Sequence, residues 1–139
     1  MTTNTELRET DGLTVGPVWA GTAASFDLYT HGEDQYVAYY DDERAVTVGQ
    51  RRLGETDWTV ARLPEERRVK WDAHNYLTLT VDDDGHLNLS GNMHCHPLKY
   101  WRTTEPGDVT SFERVASMVG TEEDSVTYPQ FFRGPDGEL

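Results

Sequence analysis

The chain has 139 residues, the length of one ordinary domain, and its 36% apolar and 11% aromatic content places an unusual share of any buried surface on Trp, Tyr and Phe. Twenty-five Asp and Glu against 12 Lys and Arg leave a formal net charge of -13, which excludes nucleic acid as a partner because no basic face of sufficient size can be assembled. A single cysteine, Cys95, excludes an intramolecular disulfide, and with no span-length apolar run and no signal-like start the chain reads as cytoplasmic, with no membrane partner.

Residues 1–12 are polar and read as a frayed N-terminus ahead of one β domain over 13–139. From Leu13 onward, short apolar runs broken by Gly, Asp and Pro clusters predict antiparallel strands near 14–20, 24–30, 35–41, 45–53, 58–63, 76–82, 86–94, 98–104, 112–118 and 127–133. No window sustains a helical period. Asp41-Asp42-Glu43-Arg44 and Asp82-Asp83-Asp84-Gly85 read as hairpin turns, and a third begins near Gly134-Pro135-Asp136-Gly137.

The first two turns stand 41 residues apart, with Trp58 in the third strand of one unit and Tyr100-Trp101 in that of the next. A period of about 40–50 residues with a few strands per unit predicts propeller blades. Only about two and a half units are present, against the four to eight of a closed ring. The expected fold is therefore all-β, an incomplete β-propeller of two to three antiparallel blades, and the chain reads as a fragment of a longer protein.

Alternation along 86–94 places Leu87, Leu89, Gly91 and Met93 on one face and His86, Asn88, Ser90, Asn92 and His94 on the other. The second set is polar throughout, and such a row is expected to face solvent or line a cleft. His74, beside Asn75, and His94, beyond Asn92, are the candidate proton-transfer groups, because imidazole titrates near neutrality. Tyr128 is a candidate phenolic acid or base. Trp71, Tyr76, Tyr100 and Trp101 offer faces for sugar stacking, and Arg102 offers a bidentate partner for a carboxylate.

No metal is expected. His94-Cys95-His96 lacks the paired ligand spacing of a zinc site, Cys95 falls on the opposite strand face from its neighbours, and the acidic runs lack the full calcium-loop pattern. No cofactor is expected either.

Trp71-Asp72-Ala73-His74-Asn75, Asp84-Gly85-His86-Leu87, Ser90-Gly91-Asn92-Met93-His94 and Pro97-Leu98-Lys99-Tyr100 together resemble the BNR repeat-containing family, whose members include ulvan-type polysaccharide lyases on a seven-bladed β-propeller. Tyr128-Pro129-Gln130-Phe131 and Pro135-Asp136-Gly137-Glu138 are similar to the family's next blade, so the resemblance runs over roughly residues 15 to 139. It implies β-elimination on an acidic, uronic-acid-containing polysaccharide or oligosaccharide, with His74 and His94 in the catalytic groove and Tyr128 as acid/base. Asn75, Asn92, Tyr100 and Arg102 are the expected substrate contacts.

By the same resemblance, the arginine that neutralises the substrate carboxylate belongs beyond Leu139. Loss of one such contact raises a barrier by about 3 kcal/mol, so this chain alone is expected to be an inactive lyase. The rival expectation is a non-catalytic propeller, a carbohydrate-binding or interaction module. A sialidase is disfavoured because its arginine cluster is not seen.

Only Lys70 and Lys99 are lysines among the 12 Lys and Arg, and this pairing of high acidity with scarce lysine predicts adaptation to salt. Thermal unfolding with and without molar KCl checks this: adaptation requires a midpoint that rises with salt, and a flat response removes it.

Overall fold

The computed structural model describes residues 12–139, so that of the segment read as frayed all but Gly12 lies outside the described residues. Ten strands follow in order: β1 Asp27–His31, β2 Asp34–Tyr40, β3 Val46–Arg52, β4 Thr59–Arg62, β5 Leu77–Val81, β6 Leu87–Gly91, β7 His94–His96, β8 Tyr100–Thr103, β9 Phe112–Val115 and β10 Val126–Thr127. They form two four-stranded antiparallel sheets, β1-β2-β3-β4 and β5-β6-β8-β9, and a separate two-stranded ribbon, β7-β10. This is an incomplete β-propeller: two blades and the opening turn of a third.

The blades meet face to face. Tyr36, Ala38, Tyr40, Val46 and Val48 of the first sheet pack against Leu77, Leu79, Val81, Leu87, Leu89 and Trp101 of the second in one buried core. Both sets follow the two-residue period of a strand, so a one-residue slip in either sheet would turn its apolar row outward. The edge of β5 is not left bare: the Ser25 hydroxyl accepts from the Leu77 amide at 3.2 Å and the Asp27 carboxylate from the Leu79 amide at 2.7 Å.

Turn chemistry repeats three times. In each hairpin the first amide donates to the carbonyl four residues on, and the fourth amide donates back to the first carbonyl: 41 with 45 and 44, 82 with 86 and 85, 134 with 138 and 137. The fourth position takes a left-handed backbone every time, Arg44 at φ 66°, Gly85 at 85° and Gly137 at 88°. The turn near Gly134 is thus the third member that the sequence predicts.

In the first two turns the leading residue is also a hub. Asp41 Oδ1 accepts the amides of Glu43 and Ala45, while Oδ2 accepts the Thr47 hydroxyl at 3.0 Å and Arg62 Nε at 2.5 Å. Asp82 repeats this with the amides of Asp84 and His86, Asn88 Nδ2 at 3.0 Å and Arg102 Nε at 2.9 Å. Burial pushes each carboxyl up, but these donors outweigh it and hold both below the ordinary carboxylate range.

Two expectations fail for local reasons. The strand predicted at 14–20 contributes only a single bridge, Val18 with Asp41, because Pro17 has no amide to continue the pairing. The strand predicted at 127–133 pairs only through Val126 and Thr127, before Tyr128 turns to φ 55° ahead of Pro129. β9 ends at Val115 rather than 118, and the short 3-10 turn Val109–Ser111 before it was not foreseen.

Replacing Asp82 with alanine strands four donors, two of them backbone amides, and is expected to cost about 3 kcal/mol, read as a lowered urea midpoint. Because the Asp41 and Asp82 carboxyls sit lower folded than unfolded, their contribution is complete above about pH 4 and is lost as pH falls through the folded values. Urea midpoints between neutral pH and pH 3 should fall less in Asp82→Ala than in the parent.

Candidate functional site

The connection between the blades, residues 63–76, is pinned at several points. The Leu63 amide donates to Val46 O at 2.9 Å, the Val69 amide to Arg44 O at 3.0 Å, and Lys99 Nζ pairs with Glu65 at 2.6 Å. At its far end the buried Tyr40 hydroxyl, at the end of β2, donates to the Asn75 carbonyl at 2.8 Å. Burial pushes the Tyr40 phenol well above its ordinary value, so it stays a protonated donor.

Two tight reversals shape the loop: the Asp72 amide donates to Lys70 O at 2.8 Å and the Tyr76 amide to His74 O at 2.9 Å. They turn Asp72 and His74 to the same side. Asp72 Oδ1 accepts the His74 amide at 3.0 Å and lies 2.5 Å from His74 Nδ1; Oδ2 lies 2.6 Å from His94 Nδ1. One carboxylate thus serves both imidazoles, whose rings stack at 4.2 Å with planes 25° apart. The His74 amide above all, and then the two imidazoles, hold the Asp72 carboxyl well below the usual range.

His94 reaches this point because β6 ends. Gly91 at φ 153° and Asn92 at 56° break the strand, and the chain restarts as β7 in a new direction. The polar row expected along 86–94 is therefore not continuous, and it lines no open cleft. Asn88, Ser90 and Asn92 are buried, with Asn88 bound to Asp82, Ser90 to the Lys99 carbonyl and Asn92 Nδ2 to the Arg67 carbonyl at 2.9 Å.

Tyr128 arrives on the β7-β10 ribbon, in which Thr127 pairs with His94 and the Thr127 hydroxyl accepts the Cys95 amide at 2.9 Å. Its ring centre lies 5.8 Å from that of His74 and 4.8 Å from that of Tyr76, which it meets edge-on. Asn92, Cys95 and Tyr128 all carry positive φ. For a bulky aromatic this is a strained conformation of the kind that collects at functional sites.

Of the remaining candidates, Asn75 lies buried beneath the loop, its Nδ2 donating to the Asp72 carbonyl at 3.0 Å. Tyr100 and Arg102 are engaged elsewhere, the phenol donating to Asn88 at 2.5 Å and the guanidinium pairing with Asp82 at 2.8 Å. Trp101 has no exposed surface, so the stacking role considered for it is excluded by burial in the core. Trp71 is 76% exposed and packs edge-on against Trp19 at 5.5 Å, forming an aromatic rim beside Asp72.

Sequence reasoning missed Asp72 as a site residue, and its signal was the two-residue spacing to His74 that lets an Asp side chain cap the next turn. Asp72, His74 and His94 have donor atoms within 4.8 Å of one another, close enough for a metal ion. A metal bound through Nδ1 would displace the imidazole–carboxylate hydrogen bonds, and stacked rings direct their Nε2 lone pairs side by side rather than onto one point. The arrangement suits hydrogen bonding or proton transfer at two adjacent Nε2 atoms.

Residues 34–139 match the sequence profile described as a BNR repeat-containing family member. The chain belongs to that family. No curated protein sequence matches it. Among solved structures it is similar to the crystal structure of polysaccharide lyase Uly1, with a TM-score of 0.60 and 12% identity over 95% of this chain. The chain spans 38% of the length of that protein. At this identity the likeness speaks to the fold, and it supports the propeller architecture derived above.

Gly91 is where the site and the second blade are joined. A Cβ there would lie 2.3 Å from the Tyr76 carbonyl oxygen and 3.0 Å from Leu77 Cα, on a backbone that L residues rarely adopt. Gly91→Ala is expected to cost about 2 kcal/mol or more in urea unfolding. It should also shift the NMR signals of the His94 ring, which an isolated strand defect elsewhere would leave in place.

Proposed function

We propose that the surface at Asp72, His74, His94 and Tyr128 binds a uronate-containing polysaccharide and that the whole protein cleaves it by β-elimination. The observation that carries this reading is the stacked His74–His94 pair with the Tyr128 ring beside it. β-Elimination needs a base to take the C5 proton and an acid to protonate the departing O4. An imidazole Nε2 takes the proton, the C–H electrons form the C4–C5 double bond as the C4–O4 bond breaks, and the Tyr128 phenol returns a proton to O4. The exposed Trp71 and Tyr76 rings offer faces for neighbouring sugars. The family membership and the likeness to a polysaccharide lyase support this reading at the level of chemistry class.

A second reading, a carbohydrate-binding propeller without turnover, is favoured by the state of the cations. Arg62, Arg102, Arg133 and Lys99 are each paired with a carboxylate, and although Arg67, Arg68 and Lys70 on the connection between the blades have no such pair, among the described residues no Lys or Arg side chain hydrogen-bonds or ion-pairs with Asp72, His74 or His94. An elimination needs positive charge on the C6 carboxylate to stabilise the enolate-like intermediate.

Incubation with a panel of uronate-containing polysaccharides distinguishes the two. The lyase reading requires the ultraviolet absorbance of a C4–C5 unsaturated product, falling about 10²-fold or more in initial rate in His94→Ala; an unchanged rate in the variant ends the assignment. Calorimetric binding without absorbance, weakened by His94→Ala, establishes the second reading.

A further inference from the structure

We infer that Asp72 is a positioning residue: its single carboxylate locks His74 and His94 into the same tautomer, protonated on Nδ1, so that two bare Nε2 atoms stand side by side on these partly exposed rings. The inference rests on the reading of the imidazole pair as the site, and it goes further by assigning the atom each ring presents.

The geometry leaves little freedom. An ionised carboxylate only accepts hydrogen bonds. Asp72 Oδ1 lies 2.5 Å from His74 Nδ1 and Oδ2 lies 2.6 Å from His94 Nδ1, so each Nδ1 carries its hydrogen. A neutral imidazole has one N–H, and Nε2 is then a lone pair on both rings. A carboxylate behind a histidine fixes ring orientation in this way in metal and triad sites. Here one carboxylate does so for two rings, and the 4.2 Å stacking keeps the two lone pairs adjacent. The groups that face the rings from other elements are Tyr128, 5.8 Å from His74 between ring centres, and through it Tyr76.

The duller role for Asp72 is to cap the turn by accepting the His74 amide at 3.0 Å. Asp72→Asn separates the two. Its one carbonyl oxygen still accepts that amide, but its NH2 group confronts the second imidazole with a donor where an acceptor stood. At least one ring must then accept through Nδ1 and carry its hydrogen on Nε2.

The test is a long-range ¹H–¹⁵N spectrum of the imidazoles in the purified chain, recorded at a pH where the rings are neutral. The expected result is the Nδ1–H pattern for both His74 and His94, with at least one ring switched to Nε2–H in Asp72→Asn while the thermal midpoint and circular dichroism stay near the parent's. An Nε2–H pattern for either ring in the parent overturns the inference, even should the variant fail to fold. Unchanged tautomers in a folded variant overturn it too. Where turnover of a polyuronate is observed, Asp72→Asn should lower kcat about 10²-fold or more with KM little changed. A loss confined to KM argues for turn capping alone. The spectrum needs no turnover, so absence of lyase activity with both Nδ1–H patterns intact removes the elimination reading and leaves the role of Asp72 standing.

Discussion

The carboxylate at the head of each hairpin is the constraint on which the rest depends. Asp41 and Asp82 each gather two backbone amides, one side chain from the returning strand and one arginine from the strand after it. That set of partners ties three consecutive strands to one point. A shift of one residue in any of them would pull a donor away and leave a buried carboxylate short of partners, at a cost of several kcal/mol. Register fixed in this way puts Tyr36, Ala38 and Tyr40 on the face that meets Leu79, Leu89 and Trp101. The apolar core is a consequence of the turns as much as a cause of them.

With both sheets fixed face to face, the chain must cross from β4 to β5, and the site is built on that crossing. The crossing cannot form a strand, since its backbone is spent on the Leu63, Val69 and Tyr40 contacts that hold it to the first blade. Its free side carries Trp71, Asp72 and His74. The second blade contributes His94 only because Gly91 and Asn92 end β6 early. The site is thus assembled where regular structure stops, on supports that are themselves rigid, which is the usual arrangement for a functional surface. A depression of about 580 Å³ bounded by Leu13, Phe26, Leu28 and Trp58 sits elsewhere, on the outer face of the first sheet.

What could be read from the sequence follows the range of the forces involved. The hairpins at Asp41, Asp82 and Gly134 were legible because turn chemistry is local: Asp at the first position of the first two and Gly at the fourth of the last two are visible in a few letters, while Arg44 at φ 66° gives no such signal. The pairing of His74 with His94 was legible through family resemblance, but its geometry was not, because a 20-residue separation says nothing of a shared carboxylate. The polar alternation of Asn88, Ser90 and Asn92 misled for an instructive reason. Alternation reports which residues share a face, not whether water reaches it, and here each side chain is turned to a protein partner, Asp82, the Lys99 carbonyl or the Arg67 carbonyl, with only the buried Asn92 Oδ1 of the three left without one. Arg102 likewise read as a free cation until Asp82, 20 residues upstream, claimed it.

The overall charge bears on the proposed ligand in a way the local geometry does not. A surface of net charge -13 repels an acidic polymer at long range, so a uronate chain would approach slowly at low ionic strength. At about 0.15 M salt that field is screened beyond about 8 Å, and what remains is the local set: two imidazoles, the aromatic rim of Trp71 and Tyr76, and amides. Protein–glycan contact of this kind relies on stacking and directed hydrogen bonds more than on charge attraction. The shared Asp72 carboxylate fits that logic, since its negative charge is spent on two Nδ1–H donors rather than turned toward the ligand. An acidic protein can in this way present a locally neutral, hydrogen-bonding surface to an acidic chain.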